Sequence, residues 1–344
     1  MAEKKTSIGG QALIEGIMMK GPYKTAMAVR KPDGAIDISE VPEKHLRDKY
    51  KFFGLPLVRG MVNLIESMVI GYKAMMRSAD ISGFTELEEE EERRRRAEKA
   101  AKRGQQQESI EQTDIVPNAD TEGGERKDSI LMGAAMVIGS VLGVLLAVAL
   151  FMYLPALLFK GIDAITPISL KYYRGIIEGV VKMVIFIGYI ALVGFEKDIK
   201  RVFMYHGAEH KTIFCYEKGL ELNIQNVRAQ TRLHPRCGTS FMFLMLAIGI
   251  LISSVLVVVL PDFITSRNYL WVPIKIMLVP IICGLGYELI KLCGRCDNKV
   301  TRIIAAPGLW IQRLTTKEPD DSMIEIAIAA VKEVIPTDGS DEIK

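Results

Sequence analysis

Two short stretches hold three of the four histidines in this chain of 344 residues. The stretch "YHGAEHK" contains His206 and His210, and the stretch "RLHPRCGT" contains His234 and Cys237. Imidazole nitrogens and cysteine sulfurs are the ligands that zinc and other first-row divalent metals prefer in proteins. The concentration of these scarce side chains in one part of the chain therefore predicts a metal site.

The spacing of the first two histidines suits a single ion. Side chains four residues apart lie on the same face of a helix, so His206 and His210 can share one metal. Glu209 completes the order H-x-x-E-H, which is that of the inverted zincins. In such a site the two histidines are ligands, and the acid acts as a general base on water that the metal activates. The pentapeptide has low specificity by itself, and the H-x2-C spacing of His234 and Cys237 strengthens it.

Three interpretations of these residues remain open. Three imidazoles and one thiolate fill a tetrahedral site, which would then be closed and structural. If Cys237 or one histidine stays out, a coordination position is open for water and the site can be catalytic. In the third interpretation His206, His210 and His234 are interfacial histidines, Cys237 is a buried cysteine, and no metal binds.

Cations lie next to these residues in the sequence, because Arg232 and Arg236 flank His234 and Lys211 follows His210. They would suit an anionic substrate, such as a phosphate or carboxylate, near a membrane surface. They are also ordinary for a loop on the cytoplasmic side of a membrane, and we favour that interpretation.

Hydrophobic residues make up 49% of the chain, and the mean hydropathy is positive at +0.20. A helix of about 20 apolar residues crosses a hydrocarbon core of about 30 Å. Four stretches meet that requirement, at residues 130–159, 175–195, 239–260 and 270–290. Pro155 predicts a tilt or a break in the first stretch. These features predict a mainly α membrane protein of about four transmembrane helices.

The second stretch contains Glu178 and Lys182, which are four residues apart and can form an ion pair. Ionisable residues inside a membrane are functional candidates. A pair near the membrane interface is the alternative.

Lysine and arginine are concentrated before the first stretch, between the second and third, and after the fourth. This distribution predicts that both termini and the histidine-containing connector are cytoplasmic.

The soluble parts complete the predicted organisation. A small α+β cytoplasmic domain is expected from both termini, with a hairpin turn at Asp33–Gly34 and a C-terminal helix that begins with a capping box of Ser322 and Glu325. An amphipathic helix at 55–76 either covers the sheet or lies in the membrane interface, which we favour slightly. The predicted divisions are an N-terminal module at 1–85, a flexible charged linker at 86–128, a transmembrane domain at 129–290 with a histidine loop at 196–238, and a C-terminal tail at 291–344.

Several function classes are disfavoured. Phosphate-binding loops, dinucleotide fingerprints and Ser-His-Asp arrangements do not stand out, and no basic surface alternates with aromatics, so sequence-specific nucleic acid is not an expected partner. Five cysteines on predicted cytoplasmic loops or spans argue against disulfides. Cys293 and Cys296 form a C-x-x-C pair that is a candidate accessory metal site. The oligomeric state is left open.

The stretches "GGQALIEGIMMKGP", "YHGAEHK", "HPRCGTSF" and "PGLWIQRLTTKEPDDSMIEIAIAA" resemble those of the bacterial YqhQ-like membrane proteins, a family of unknown function described as predicted metal-dependent enzymes. The resemblance covers nearly the whole chain apart from the charged linker. It implies a multi-pass protein of the bacterial plasma membrane with a metal site at His206, Glu209, His210, His234 and Cys237. It implies no particular reaction, and the C-x-x-C pair is not part of the pattern.

The leading hypothesis is metal-dependent hydrolysis at the membrane surface. His206, His210 and His234 would be ligands of zinc or another first-row divalent metal, Cys237 the fourth ligand or a gate, and Glu209 the base. The alternative is a non-catalytic scaffold in which the metal is structural and the basic cytoplasmic domain binds the ribosome, the translocon or another membrane protein. A transporter that uses Glu178 and Lys182 is the third and weakest hypothesis.

Overall fold

The computed structural model describes residues 5–43, 50–55, 58–86, 94, 138–139, 141–295 and 298–343. Almost all of the predicted linker at 86–128 and the start of the first predicted span lie outside these ranges. Cys296 also lies outside them, and the side chain of Cys293 is outside the description, so the predicted accessory metal site stays a prediction.

Among the described residues, eight helices have 14 or more residues. They are α1 (Val58–Ile81), α2 (Val141–Ile165), α3 (Arg174–Val193), α4 (Lys197–Glu217), α5 (Gly238–Val259), α6 (Asn268–Arg295), α7 (Lys299–Thr315) and α8 (Asp321–Val334). Four of them, α2, α3, α5 and α6, are long and apolar enough to cross a membrane, and they are the only such helices among the described residues. The prediction of four apolar helices is therefore confirmed.

The first apolar helix, α2, lies further along the chain than the predicted span at 130–159, because it ends at Ile165. Pro155 does not break it. A turn of π-helix at Ala149–Tyr153 ends two residues before this proline. Proline has no backbone N–H to donate, and the wider π-turn lets the helix continue past it.

Helices α3 and α5 approach each other closely at two glycines four residues apart. A Cβ atom on Gly175 would lie 2.5 Å from the backbone nitrogen of Ser254, and one on Gly179 would lie 2.2 Å from Ile250. Small residues at this spacing allow helix backbones to pack tightly within a membrane. The apolar helices therefore form a packed layer rather than independent spans.

The N-terminal part forms a four-stranded antiparallel sheet in the order β1 (Gly9–Leu13), β2 (Gly16–Lys20), β3 (Thr25–Arg30) and β4 (Ile36–Glu40). The turn between β3 and β4 falls at Asp33–Gly34 as predicted, and Gly34 has a positive φ of 87°. The glycine-rich stretch before it forms two paired strands, although its composition indicates only turns.

Both faces of the sheet are buried. Met18 and Met27 lie in a core that includes Ala74 of α1. Ile17 and Met19 face the other way, into a core with buried residues of α4 and α8. Because successive strand residues point to opposite faces, this arrangement needs consecutive apolar residues in the middle of the central strands.

The first and last described stretches of the chain lie next to each other. Thr6 forms a β-bridge with Glu342, and the Thr6 hydroxyl donates to the carboxylate of Asp341 at 2.6 Å. The two ends of the described part of the chain therefore meet beside the sheet.

Helix α1 contacts both the sheet and the apolar layer. Gly60 packs against Gly284 and Tyr287 of α6, and the guanidinium of Arg59 donates two hydrogen bonds to Glu288 at 2.6 and 2.5 Å. Its large apolar residues Ile65, Met68, Val69, Tyr72 and Met76 are exposed. The packing of Ala74 against the sheet confirms that α1 covers the sheet. A position of the exposed apolar face in the membrane interface stays a prediction.

The predicted capping box at the start of α8 is wrong. The N-cap residue is Asp320, whose Oδ1 accepts the backbone N–H of Met323 at 2.9 Å. Ser322 instead donates its hydroxyl to Asp320 at 2.6 Å, and Glu325 pairs with Arg30 at 2.8 Å. A carboxylate is the stronger acceptor at the positive end of a helix, so Asp320 takes the position.

Candidate metal site

The connector between α3 and α5 begins with the helix α4, which holds His206 and His210. Tyr205 and Ala208 of α4 are buried in the core under the sheet, and this packing fixes the rotation of the helix. The two imidazoles lie side by side, with ring centroids 4.4 Å apart. The predicted sharing of one helical face is therefore observed.

Backbone carbonyls orient both rings. Nδ1 of His206 is 2.9 Å from the carbonyl oxygen of Thr315, and Nδ1 of His210 is 2.5 Å from that of Arg232. A carbonyl only accepts, so Nδ1 of each ring donates to it, and in the neutral ring this leaves the lone pair of Nε2 available as a metal ligand. Metal-binding histidines commonly have this arrangement, in which the outer nitrogen donates and the inner one ligates.

Cys237 supplies a sulfur at the same place. It precedes α5, and its Sγ lies 3.1 Å from Nε2 of His206. One ligand atom from each of His206, His210 and Cys237 lies within 4.8 Å of the others. Two nitrogens and one sulfur on one tetrahedral zinc ion are about 3.3–3.5 Å apart, given Zn–N of about 2.0 Å and Zn–S of about 2.3 Å, so shifts of about 1 Å or less would suit the ion.

His234 lies beside this group rather than in it. Its ring centroid is 5.6 Å from that of His210, but its Nε2 faces the carboxylate of Glu217 at 3.4 Å. Its Nδ1 accepts the backbone N–H of Arg236 at 3.4 Å. Burial lowers the pKa of His234 to about 4, so the ring is neutral at physiological pH.

Glu209 is buried under strand β1, where it accepts the backbone N–H of Gly10. Burial raises the pKa of its carboxyl, and the electrostatic interaction with His206 and the hydrogen bond from the Gly10 N–H oppose that rise. A Cβ atom on Gly10 would lie 3.1 Å from the Glu209 carboxyl carbon. The glycine therefore lets the strand approach this carboxylate closely.

Gln312 contacts the backbone of His234, and the sequence did not predict a role for it. Its side chain is fully buried, accepts the backbone N–H of His234 at 2.7 Å, and donates to the His234 carbonyl at 2.7 Å and to Ser240 at 2.9 Å. A polar residue on the buried side of the amphipathic helix α7, next to Ile311, is the sequence signal that could have found it.

The cations beside the site are bound to acids. Lys211 pairs with Glu318 at 2.8 Å, Arg232 lies 3.6 Å from the same carboxylate, and Arg236 pairs with Glu217. This pairing favours a structural role for these three cations over the recognition of an anionic substrate.

The predicted pair of Glu178 and Lys182 does not form among the described residues. The Glu178 carboxylate instead binds Arg174 at 2.7 Å and Lys275 at 2.5 Å, and Trp271 donates its indole N–H at 3.2 Å. Arg174, Glu178, Trp271 and Lys275 are all buried, and we call them the ion cluster.

Gly207 is expected to be needed for the register of the histidines. A Cβ atom there would lie 2.1 Å from the carbonyl oxygen of Lys317, two residues after the Thr315 carbonyl that holds His206. Gly207→Ala should therefore lower the stability by about 1–3 kcal/mol. Gly188→Ala in α3 is the matched control because nothing lies within 4 Å of the added atom, and an ordinary helical glycine gains about 0.5–1 kcal/mol from this change. Thermal unfolding in detergent measures both variants, and equal unfolding temperatures would contradict the prediction.

Comparison with known proteins gives a family without an assigned activity. The family model described as "Protein of unknown function (DUF1385)" matches residues 55–337. The "Uncharacterized protein YqhQ" of Bacillus subtilis (strain 168) is 31% identical over 330 residues, which cover 95% of this chain and 92% of that protein. No solved structure matches the chain. The predicted resemblance to YqhQ-like proteins is confirmed, and the chain belongs to the DUF1385 family of proteins of unknown function.

Proposed function

We propose that this protein is a multi-pass protein of the bacterial plasma membrane that binds a first-row divalent metal, preferably zinc, on its cytoplasmic side. Four apolar helices of membrane length support the location. The excess of Lys and Arg before α2, between α3 and α5, and after α6 supports cytoplasmic termini and a cytoplasmic α4.

One observation carries the metal proposal. Two imidazoles with Nδ1 held by backbone carbonyls offer Nε2 close to one thiol, so His206, His210 and Cys237 fit a metal. Two nitrogens and one sulfur suit zinc better than calcium or magnesium, which prefer oxygen.

We further propose metal-dependent hydrolysis at the membrane surface. Catalytic zinc sites have three protein ligands and keep one position open, which matches this group of three. A bound zinc ion acts as a Lewis acid and makes water nucleophilic near neutral pH. Glu209 would accept the proton from that water, because it directly precedes His210 on α4, interacts electrostatically with His206 and is shielded from bulk solvent.

A non-catalytic scaffold is the second candidate. Two of the three ligands lie on α4, and Cys237 directly precedes α5. The carbonyls that hold the two rings come from α7 and from the segment before α5. A metal would therefore hold these parts of the chain together. If His234 turned toward the ion, the site would be closed and structural. The cytoplasmic layer would then serve to bind a partner such as the ribosome, the translocon or another membrane protein.

Elemental analysis of the protein purified in detergent tests the metal proposal. We expect one metal ion per chain in the wild type and a loss of at least tenfold in occupancy in the double variant His206→Ala, His210→Ala. His234→Ala is the matched control, because it removes a neighbouring imidazole that lies outside the group of three. Retention of the metal in this control supports three ligands. Equal loss in both variants would favour the closed site, and a wild type without metal would refute the proposal.

Cobalt substitution tests the open position. Co²⁺ replaces zinc in most sites, and its visible spectrum changes when an exogenous ligand such as cyanide or a hydroxamate coordinates. An open position predicts a saturable spectral change at concentrations that leave the metal bound. An unchanged spectrum would favour the scaffold.

A further inference from the structure

A cavity of about 280 Å³ lies where all four membrane-length helices meet. Its walls are mostly apolar, with Phe151 of α2, Phe186 of α3, and Met242, Met245 and Leu246 of α5 among the lining residues. One part of the wall is charged and contains Glu178, Lys182 and Lys275. The cavity therefore has an apolar body and a small polar region.

The polar region has more positive than negative charge. Glu178 is the only acid among the lining residues, and its carboxylate is already shared by Arg174, Lys275 and the indole N–H of Trp271. Lys182, at the middle of α3, makes no hydrogen bond or ion pair with the residues that the structure describes. Three cations thus surround one carboxylate.

Such an imbalance is unfavourable within an apolar layer. An uncompensated charge away from water costs several kcal/mol, and ionisable residues inside membranes are rare unless they pair or serve a site. The ion cluster satisfies Arg174 and Lys275 through Glu178, but Lys182 gains only weak attraction from a carboxylate that two other cations already bind. An anion entering the cavity would offset this charge.

We propose that the cavity binds an amphiphile with an anionic head and an acyl chain, its head on the Lys182 ammonium and its chain along the apolar wall. The excess positive charge selects the carboxylate or phosphate head, and the lining of Phe, Met and Leu selects the tail. A small inorganic anion would leave the apolar wall without a partner. The inference uses the proposed membrane location but is independent of the metal.

Binding titrations in nonionic detergent test the proposal. The probes are oleate and oleoyl lysophosphatidate, and oleyl alcohol is the uncharged control with the same chain. We expect saturable binding of at least one anion, at least tenfold tighter than that of the alcohol. The preferred anion distinguishes a carboxylate head from a phosphate head. Equal affinities for the three probes, or no binding of either anion, would overturn the proposal.

Two variants locate the site. Lys182→Met keeps the length of the side chain and removes its charge, so it should weaken anion binding at least tenfold and leave oleyl alcohol unaffected. Gly249→Leu fills the cavity without changing any charge, because Gly249 lines it and an added Cβ is 3.7 Å from Ile282. It should weaken all three probes.

Lys160→Met is the charge control, since Lys160 is exposed on α2 and does not line the cavity. Anion binding that is unchanged in both Lys182→Met and Gly249→Leu, or weakened equally by Lys160→Met, would refute the site. Metal content should be the same in all these variants, so failure here is distinguishable from failure of the metal proposal.

Discussion

Glu178→Gln is expected to destabilise the four-helix layer by about 3–5 kcal/mol, the largest loss of stability among the single variants considered. Glutamine has nearly the same size and keeps a hydrogen-bonding oxygen, so the change removes charge rather than volume. Arg174 and Lys275 are 3% and 4% exposed and would then lack their anionic partner. Removing one member of a buried ion pair costs far more than the pair contributes, because the remaining charge stays away from water.

Thermal unfolding in detergent and the yield of monodisperse protein measure this effect. Glu333→Gln is the control, because Glu333 forms an exposed ion pair with Lys24, and such pairs contribute about 0–1 kcal/mol. The double variant Glu178→Gln, Lys275→Met removes one of the two stranded cations and should recover part of the loss. A Glu178→Gln protein as stable as the control would show that the cluster is hydrated or otherwise neutralised.

The ion cluster also shows where local sequence rules stop. A spacing of four residues correctly indicates that Glu178 pairs along its own helix, but the partner is Arg174 on the preceding turn rather than Lys182 on the next. The third member, Lys275, lies 97 residues away on α6, and spacing cannot indicate it.

The two classes of secondary structure differed in how well the sequence predicted them. Each membrane-length helix is a long uninterrupted apolar signal, so all four were predicted. Strands β1 and β2 were not, because a sheet buried on both faces lacks the alternation that marks a half-exposed strand. The β3–β4 hairpin was predicted because its Asp33–Gly34 turn is a local signal.

The site itself was predicted as far as short spacing allows. The positions of His206 and His210 on one helical face follow from their separation of four residues, and Cys237 was named from its chemistry. The carbonyl of Thr315, 109 residues from His206, and the amide of Gln312, 78 residues from His234, come from the folded chain. The first group orients the His206 ring and the second holds the His234 backbone, and neither contact can be inferred from short spacing.

Glu209→Gln is expected to lower the rate of the proposed hydrolysis by a factor of about 10²–10⁴ and to leave the metal content unchanged. The physical reason is that an amide cannot accept a proton from water, whereas its oxygen can still accept the backbone N–H of Gly10. The ligands His206, His210 and Cys237 are unaltered. The measurement pairs elemental analysis with turnover on whichever ester, phosphoester or amide of a substrate panel the wild type cleaves.

Gly10→Ala gives a second route to the same residue. The added Cβ would lie 2.6 Å from the Met18 carbonyl oxygen and 3.1 Å from the Glu209 carboxyl carbon, so it displaces the carboxylate without changing its chemistry. If Glu209 is the base, Gly10→Ala lowers turnover and Glu209→Gln removes it, both with the metal bound. If Glu209 instead only supports the fold, Glu209→Gln loses metal and stability together, and the site is structural. A turnover that survives Glu209→Gln would assign the proton transfer to another group.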